Sequence, residues 1–286
     1  MVALMTGNGA LPKRSLRGRT ILMSGGSRGI GLAIALRAAQ DGANVAVLAK
    51  TDQPHPSLEG TVHTAVEQIR SAGGGGLAVV GDVRNDDDVA SAVKATVAEF
   101  GSIDVVINNA SAIDLSSTDD ISMKRYDLMT DINVRGTFLL SKLSLPALRR
   151  ASNPHILTLS PPLNLDPVWA GRHLAYTMAK YGMSLTTLGL AEELKEAGIA
   201  VNSLWPRTLI DTAAIRTMPG GSELVTASRS PQIVADAAHA ILVRPARECT
   251  GNFLTDEEVL RQEGVTDFRR YSLGAEEHRL VPDIFL

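Results

Sequence analysis

Cysteine is nearly absent from this chain: Cys249 is the only one in 286 residues. One thiol forms no internal disulfide, so a disulfide scaffold is excluded, and no metal-ligand spacing surrounds it. A small half-buried side chain in a reducing, cytoplasmic setting is the expectation. Charge of one sign is also lacking. The 28 Lys and Arg against 31 Asp and Glu leave a net charge of -3, which gives no footprint for nucleic acid or an anionic membrane. No apolar run approaches the roughly 18 residues of a membrane span. Residues 1–19 lack the charged-then-apolar order of a secretory signal, and a loosely attached arm is expected there. What the sequence does have is an ordinary globular balance, 44% hydrophobic and 21% charged, enough for a sizeable core.

No internal linker interrupts the pattern, which is strand then helix, repeated. Apolar strands are predicted at 20–24, 44–49, 77–80, 103–107, 155–159, 199–204 and 252–255. Helices are predicted at 30–40, 61–72, 86–100, 123–150, 173–197 and 231–242, with Pro146 bending the long fourth one. Near-continuous apolar strands alternating with amphipathic helices imply a parallel sheet covered on both faces. Right-handed crossovers then give an α/β, single-domain, doubly wound (Rossmann) sheet of about seven strands, with ligands beyond the strands' carboxyl ends. Residues 20–255 form this domain. The polar stretch 256–286 is expected to pack on the same domain and wrap its surface.

Ser24-Gly25-Gly26-Ser27-Arg28-Gly29-Ile30-Gly31 lies between the first strand and first helix. Glycines there let the chain turn tightly and bring backbone N–H groups to a pyrophosphate at a helix N-terminus. A lone glycine pattern is a weak signal; its place in a repeating strand–helix unit strengthens it. The spacing of Gly25, Gly29 and Gly31 resembles the TGxxxGxG loop of short-chain dehydrogenases/reductases. So do Asp82-Val83 after the third strand, Asn108-Asn109-Ala110 after the fourth, Asn133 in the long helix, and Tyr176-Thr-Met-Ala-Lys180. More narrowly, Pro54-His55-Pro56, Met123-Lys124-Arg125-Tyr126-Asp127, Asn153-Pro154-His155-Ile156, Ser160-Pro161-Pro162-Leu163-Asn164 and Trp205-Pro206-Arg207-Thr208 resemble the hydroxysteroid dehydrogenase-like branch of that family. Some members of the branch carry a sterol-carrier domain, which is not expected within these residues.

The cofactor follows from a missing acid. Members that prefer NAD hold the adenosine ribose with a carboxylate at the end of the second strand. Here Ala49 is neutral and Lys50 follows, while Arg28 sits in the glycine loop. Two cations and no carboxylate favour NADP(H), although most Lys and Arg side chains simply face solvent. The resemblance implies that Asp82 and Val83 meet the adenine and that Asn109 and Ala110 meet the adjoining ribose. It also implies cofactor contacts from Ser24, Ser27, Ile30, Pro206 and Thr208.

Tyr176 and Lys180 are four apart on a predicted helix and share a face. A phenol of pKa near 10 exchanges protons poorly at neutral pH, and a nearby ammonium lowers that value. Tyr176 is therefore the candidate proton donor to a carbonyl oxygen, or acceptor from a hydroxyl in reverse. The resemblance adds that Lys180 holds the nicotinamide ribose and that Asn133 holds a water linking the lysine to solvent. The usual serine is displaced: Ser160 aligns one place early, and Pro161 stands where the catalytic hydroxyl is expected. Either a remodelled loop brings Ser160 into place or the role is vacant. Leu163, Leu165, Val168, Trp169 and the apolar residues of 209–218 would border an apolar, lipid-like substrate, or else pack together as core. Two other readings stand beside the enzyme: an NADP(H)-binding regulator with little turnover, and an assembly role for the long helices. By resemblance those helices build a homodimer or homotetramer.

Overall fold

The computed structural model describes residues 15–54, 59–218 and 220–286. Most of the expected N-terminal arm and part of the Pro54-His55-Pro56 segment lie outside these. Seven strands form one parallel sheet: β1 (Thr20–Ser24), β2 (Asn44–Ala49), β3 (Gly75–Val80), β4 (Val105–Asn108), β5 (His155–Thr158), β6 (Ala200–Trp205) and β7 (Phe253–Thr255). Their order is β3-β2-β1-β4-β5-β6-β7, so the winding reverses between β1 and β4. A crevice opens there beyond the carboxyl ends, where open α/β sheets bind ligands.

Between the strands run α1 (Gly29–Gln40), α2 (Val62–Ser71), α3 (Asp86–Phe100), α4 (Met123–Thr130), α5 (Gly136–Leu148), α6 (Pro167–Arg172), α7 (Leu174–Glu193), α8 (Ala213–Arg216), α9 (Gly221–Thr226), α10 (Gln232–Leu242) and α11 (Asp256–Gln262). Local signals set several ends. Asn85 caps α3 by accepting from the N–H groups of Asp87 and Asp88, and three acids in its first turn suit the helix dipole. Strand side chains alternate between two cores. Ile21, Met23, Val45 and Leu157 pack with Ile34 and Ala38 of α1 and Val234 and Ile241 of α10. Leu22, Ala46, Val106 and Ile156 pack with Val89 of α3, Leu140 of α5 and Leu190 of α7.

Two expectations are corrected. The helix expected over 123–150 is interrupted by a π-helical turn, Asp131–Arg135, while Pro146 sits inside α5. The stretch from Asp256 is more than a surface wrap: Val259, Phe268, Tyr271 and Phe285 are buried. The short helices α6, α8 and α9 carry too few residues to show a period in sequence.

Candidate active site

β1 ends at Ser24, whose Oγ accepts from the N–H groups of Asn109 (3.2 Å) and Ala110 (3.1 Å), tying the ends of β1 and β4 together. The chain then turns at Gly25, where φ is +71° and a Cβ would lie 2.8 Å from the Cα of Ala110. Only glycine fits both demands. Asn109 braces the turn by donating from Nδ2 to the Gly25 carbonyl at 2.7 Å. Arg28 precedes α1 with extended backbone and gives no side-chain cap, so N–H groups of the first turn face the crevice without a side-chain partner.

The crevice is a cavity of about 430 Å³ that Gly25, Ile30, Ala49, Lys50, Asp82 and Ala110 help to line. Asp82 is neutralised within it: Arg84 donates to its carboxylate at 2.6 and 2.9 Å, and Lys50 pairs with it at 3.1 Å. Desolvation pulls its pKa up, but the hydrogen bonds from Arg84 and Lys50 outweigh that and hold it well below the usual carboxylate range. Arg28 donates to the Gly60 carbonyl at 2.8 Å, leaving its buried Nε unpartnered. Sequence reasoning missed Arg84, although it stands two residues beyond Asp82. These features fit a dinucleotide: a tight glycine turn, unclaimed helix N–H groups, and cations at the end of β2. Beyond β6, the buried Thr208 Oγ1 also lacks a partner and Pro206 is buried beside it.

Tyr176 and Lys180 share one face of α7 and are 5% and 3% exposed. The ammonium donates to the Leu159 carbonyl at 2.9 Å and lies 5.0 Å from the centre of the Trp205 ring. Burial lowers the Lys180 pKa to about 7, opposed by the charge of Asp283. Burial also raises the Tyr176 phenol above its ordinary value, with Asp283 adding to the rise. The direction is therefore opposite to the lowering expected from the ammonium, and burial with Asp283 sets it. Asn133 is fully buried in the π turn, and its amide both accepts from the Ala112 N–H (2.8 Å) and donates to the Ala112 carbonyl (3.0 Å). The π turn packs on α7 so closely that a Cβ on Gly182 would stand 2.6 Å from Val134. Ser160 is turned inward. Its hydroxyl pairs with Ser203 at 2.8 Å, and Ser203 donates to Thr187 at 2.9 Å.

One more segment meets this site, and sequence reasoning passed over it. Residues 281–285 bring half-buried Asp283 near Lys180 and lay the Phe285 ring against Tyr176, at 6.0 Å between centroids. The legible signal was Val281, Ile284, Phe285 and Leu286, an apolar ending to a polar stretch. In the expected substrate border, Trp169 touches Phe285 at 6.0 Å and Leu165 is 84% exposed, while Ile210 and Ile215 are buried. Among the described residues no helix is long and apolar enough to cross a membrane, and no cluster of His, Cys, Asp or Glu is arranged to hold a metal.

Comparison with known proteins agrees with this architecture. A family model described as short chain dehydrogenase matches residues 19–219. Hydroxysteroid dehydrogenase-like protein 2 of Danio rerio is 53% identical over 271 residues, which are 95% of this chain and 64% of that protein. The chain therefore spans less than two thirds of that relative's length. A Xanthomonas campestris crystal structure, assigned as a dehydrogenase, is 53% identical at a TM-score of 0.91, covering 95% of this chain and 99% of that one. A short chain dehydrogenase from Mycobacterium thermoresistibile is 52% identical at 0.90, covering 95% and 96%.

Proposed function

Because this chain belongs to the short-chain dehydrogenase/reductase family, a family of oxidoreductases, we propose that it is an NADP(H)-dependent member interconverting a carbonyl and a hydroxyl on an apolar, lipid-like substrate. The observation that carries the reading is the placement of Tyr176 and Lys180. They lie one helical turn apart on α7, against the Asn133 turn and beyond the glycine loop of β1.

The loop from Ser24 to Gly31, with Ser27, Arg28, Gly29 and Ile30, would hold the pyrophosphate. Ala49-Lys50 and Asp82-Val83 would take the adenosine end, and Asn109-Ala110 the ribose beside it. Lys180, Pro206 and Thr208 would meet the nicotinamide end. When bound, that group supplies or accepts hydride. Tyr176 gives its phenolic proton to the carbonyl oxygen, or takes one from the hydroxyl in reverse. Lys180 stabilises the phenolate left behind, which requires its buried amine to be charged as the proton moves. Asn133, its amide fixed on Ala112, would hold a water linking Lys180 to solvent. Ser160 joins as the substrate-orienting hydroxyl only if it rotates away from Ser203. Apolar side chains exposed on α5 and α7, among them Phe138, Met178 and Leu185, suit assembly into a dimer or tetramer.

The test is NADPH oxidation with a panel of aldehydes and ketones. Tyr176→Phe should remove nearly all turnover and leave NADPH binding intact. Wild-type turnover in that variant would overturn the mechanism. A second reading, an NADP(H)-binding regulator with little turnover, is favoured by Pro161 and by Phe285 covering Tyr176. It predicts tight NADPH binding with no carbonyl consumed.

A further inference from the structure

The segment 281–285 is stitched along the chain that follows β6. Leu209 donates to the Val281 carbonyl (2.9 Å), Asp283 to the Arg207 carbonyl (3.2 Å), and Trp205 Nε1 to the Ile284 carbonyl (3.0 Å). This run delivers Phe285 into a ring of aromatics. Its ring lies 5.3 Å from Tyr181 and 6.0 Å from each of Trp169, Tyr176 and Trp205, stacked on Tyr176 at 25° and tilted 50–58° to the others. Phe285 is 2% exposed, and it is the one non-glycine among the described residues with positive φ, at 76°. An L side chain held there is strained, so the surrounding cage must hold the ring against its backbone preference.

Such an arrangement is a bound state with its ligand supplied by the chain. The four rings surround a flat six-membered ring by stacking and tilted contact, the geometries aromatic pairs prefer. A carbonyl that reaches the Tyr176 hydroxyl must bring its apolar part to this same wall. We propose that the cage of Trp169, Tyr176, Tyr181 and Trp205 is the apolar subsite for substrate and that Phe285 is its resident occupant. A flat aryl or fused-ring carbonyl compound takes its place. The proposal rests on the oxidoreductase reading and sharpens it: planar ketones are favoured, and the segment 281–285 leaves its seat when one binds. Competition by the tethered ring lowers apparent affinity by the fraction of time the cage is filled.

Two measurements test it, one independent of turnover. Hydrogen exchange of the Leu209 and Asp283 amides is followed in the NADPH-loaded protein with and without 2-acetylnaphthalene. Exchange should speed up about fivefold or more on adding the ketone, since those amides lose their partners when the segment lifts. Unchanged or slower exchange at saturating ketone overturns the proposal. In steady-state kinetics Phe285→Ala should lower KM for 2-acetylnaphthalene by about fivefold or more, with KM for NADPH little changed. A raised or unchanged KM for the planar ketone makes Phe285 a fixed wall and overturns the proposal. If Phe285→Ala does not fold, the exchange experiment on the parent protein decides alone. If no ketone is turned over, the oxidoreductase reading fails and the exchange experiment still decides the fate of the cage.

Discussion

Ala49 stands where an acid would favour NAD, and Lys50 beside it is 59% exposed and already shares Asp82 with Arg84. Its pull on a 2′-phosphate is therefore screened. Lys50→Ala should weaken NADPH by about 1 kcal/mol, nearer an exposed pair than a buried one, and leave NADH almost unchanged. Titration of both cofactors checks this, and equal losses would remove the phosphate from the argument. Ser160 presents the opposite case, a polar group wholly engaged inside. Its hydroxyl heads the chain through Ser203 to Thr187, so Ser160→Ala should cost about 1 kcal/mol of stability for the lost bond. While that geometry persists in the complex, turnover changes little. A tenfold or larger fall in turnover with NADPH affinity intact would show that the hydroxyl swings to the substrate. That Tyr176 and Lys180 share one face of a helix, and that the glycine loop joins β1 to α1, was legible from spacing alone. Ser160 was not, because sequence shows that Pro161 replaces a hydroxyl and says nothing of which way its neighbour turns.

At the scale of elements, the contact between α7 and the π turn sets Asn133. The extra residue of a π turn shifts the helix face by one position, a device found at many functional sites. Gly182 lets the two segments approach, and an added Cβ would need Val134 to move from 2.6 Å. An alanine at an open helical site gains stability over glycine by about 1 kcal/mol. Here the sign should reverse, with Gly182→Ala losing about 1–3 kcal/mol to overpacking, and Gly182→Ala/Val134→Ala should recover most of it. Thermal melts of the three proteins check this; a stabilised single variant would show that the contact is soft. The strands and long helices matched their sequence periods within a few residues. The π turn left no trace, since Asn133 between Ile132 and Val134 reads as ordinary helix, and its backbone pattern depends on packing against α7.

For the whole molecule, buried titratable groups far from the active site should write their own pH dependence. His155 is buried at the start of β5, and its pKa falls from 6.5 to about 4, through desolvation first and the charge of Arg19 second. The sign follows: a lowered basic group contributes stability that is fully present above pH 6.5 and is lost as pH falls toward 4. His155→Gln should be less stable than the parent at pH 7.5, and the gap should narrow by about 2 kcal/mol at pH 5, at 1.36 kcal/mol per unit. Urea unfolding at both pH values checks it, and a constant gap would mean that His155 does not titrate there. Asp256, also buried and raised to about 7, runs with the opposite sign, so the comparison with the parent isolates the histidine. The tail over the site escaped the sequence reading because its contacts are long-range: Phe285 meets residues more than 80 positions earlier in Trp169, Tyr176, Tyr181 and, at 80, Trp205. That convergence also gives the unlabelled protein an optical gauge. The chain has 2 tryptophans, and both lie against the same ring, with the Lys180 ammonium above one of them. Emission excited at wavelengths that tryptophan absorbs and tyrosine does not thus reports on one small volume, and a red shift on Phe285→Ala would register water reaching it.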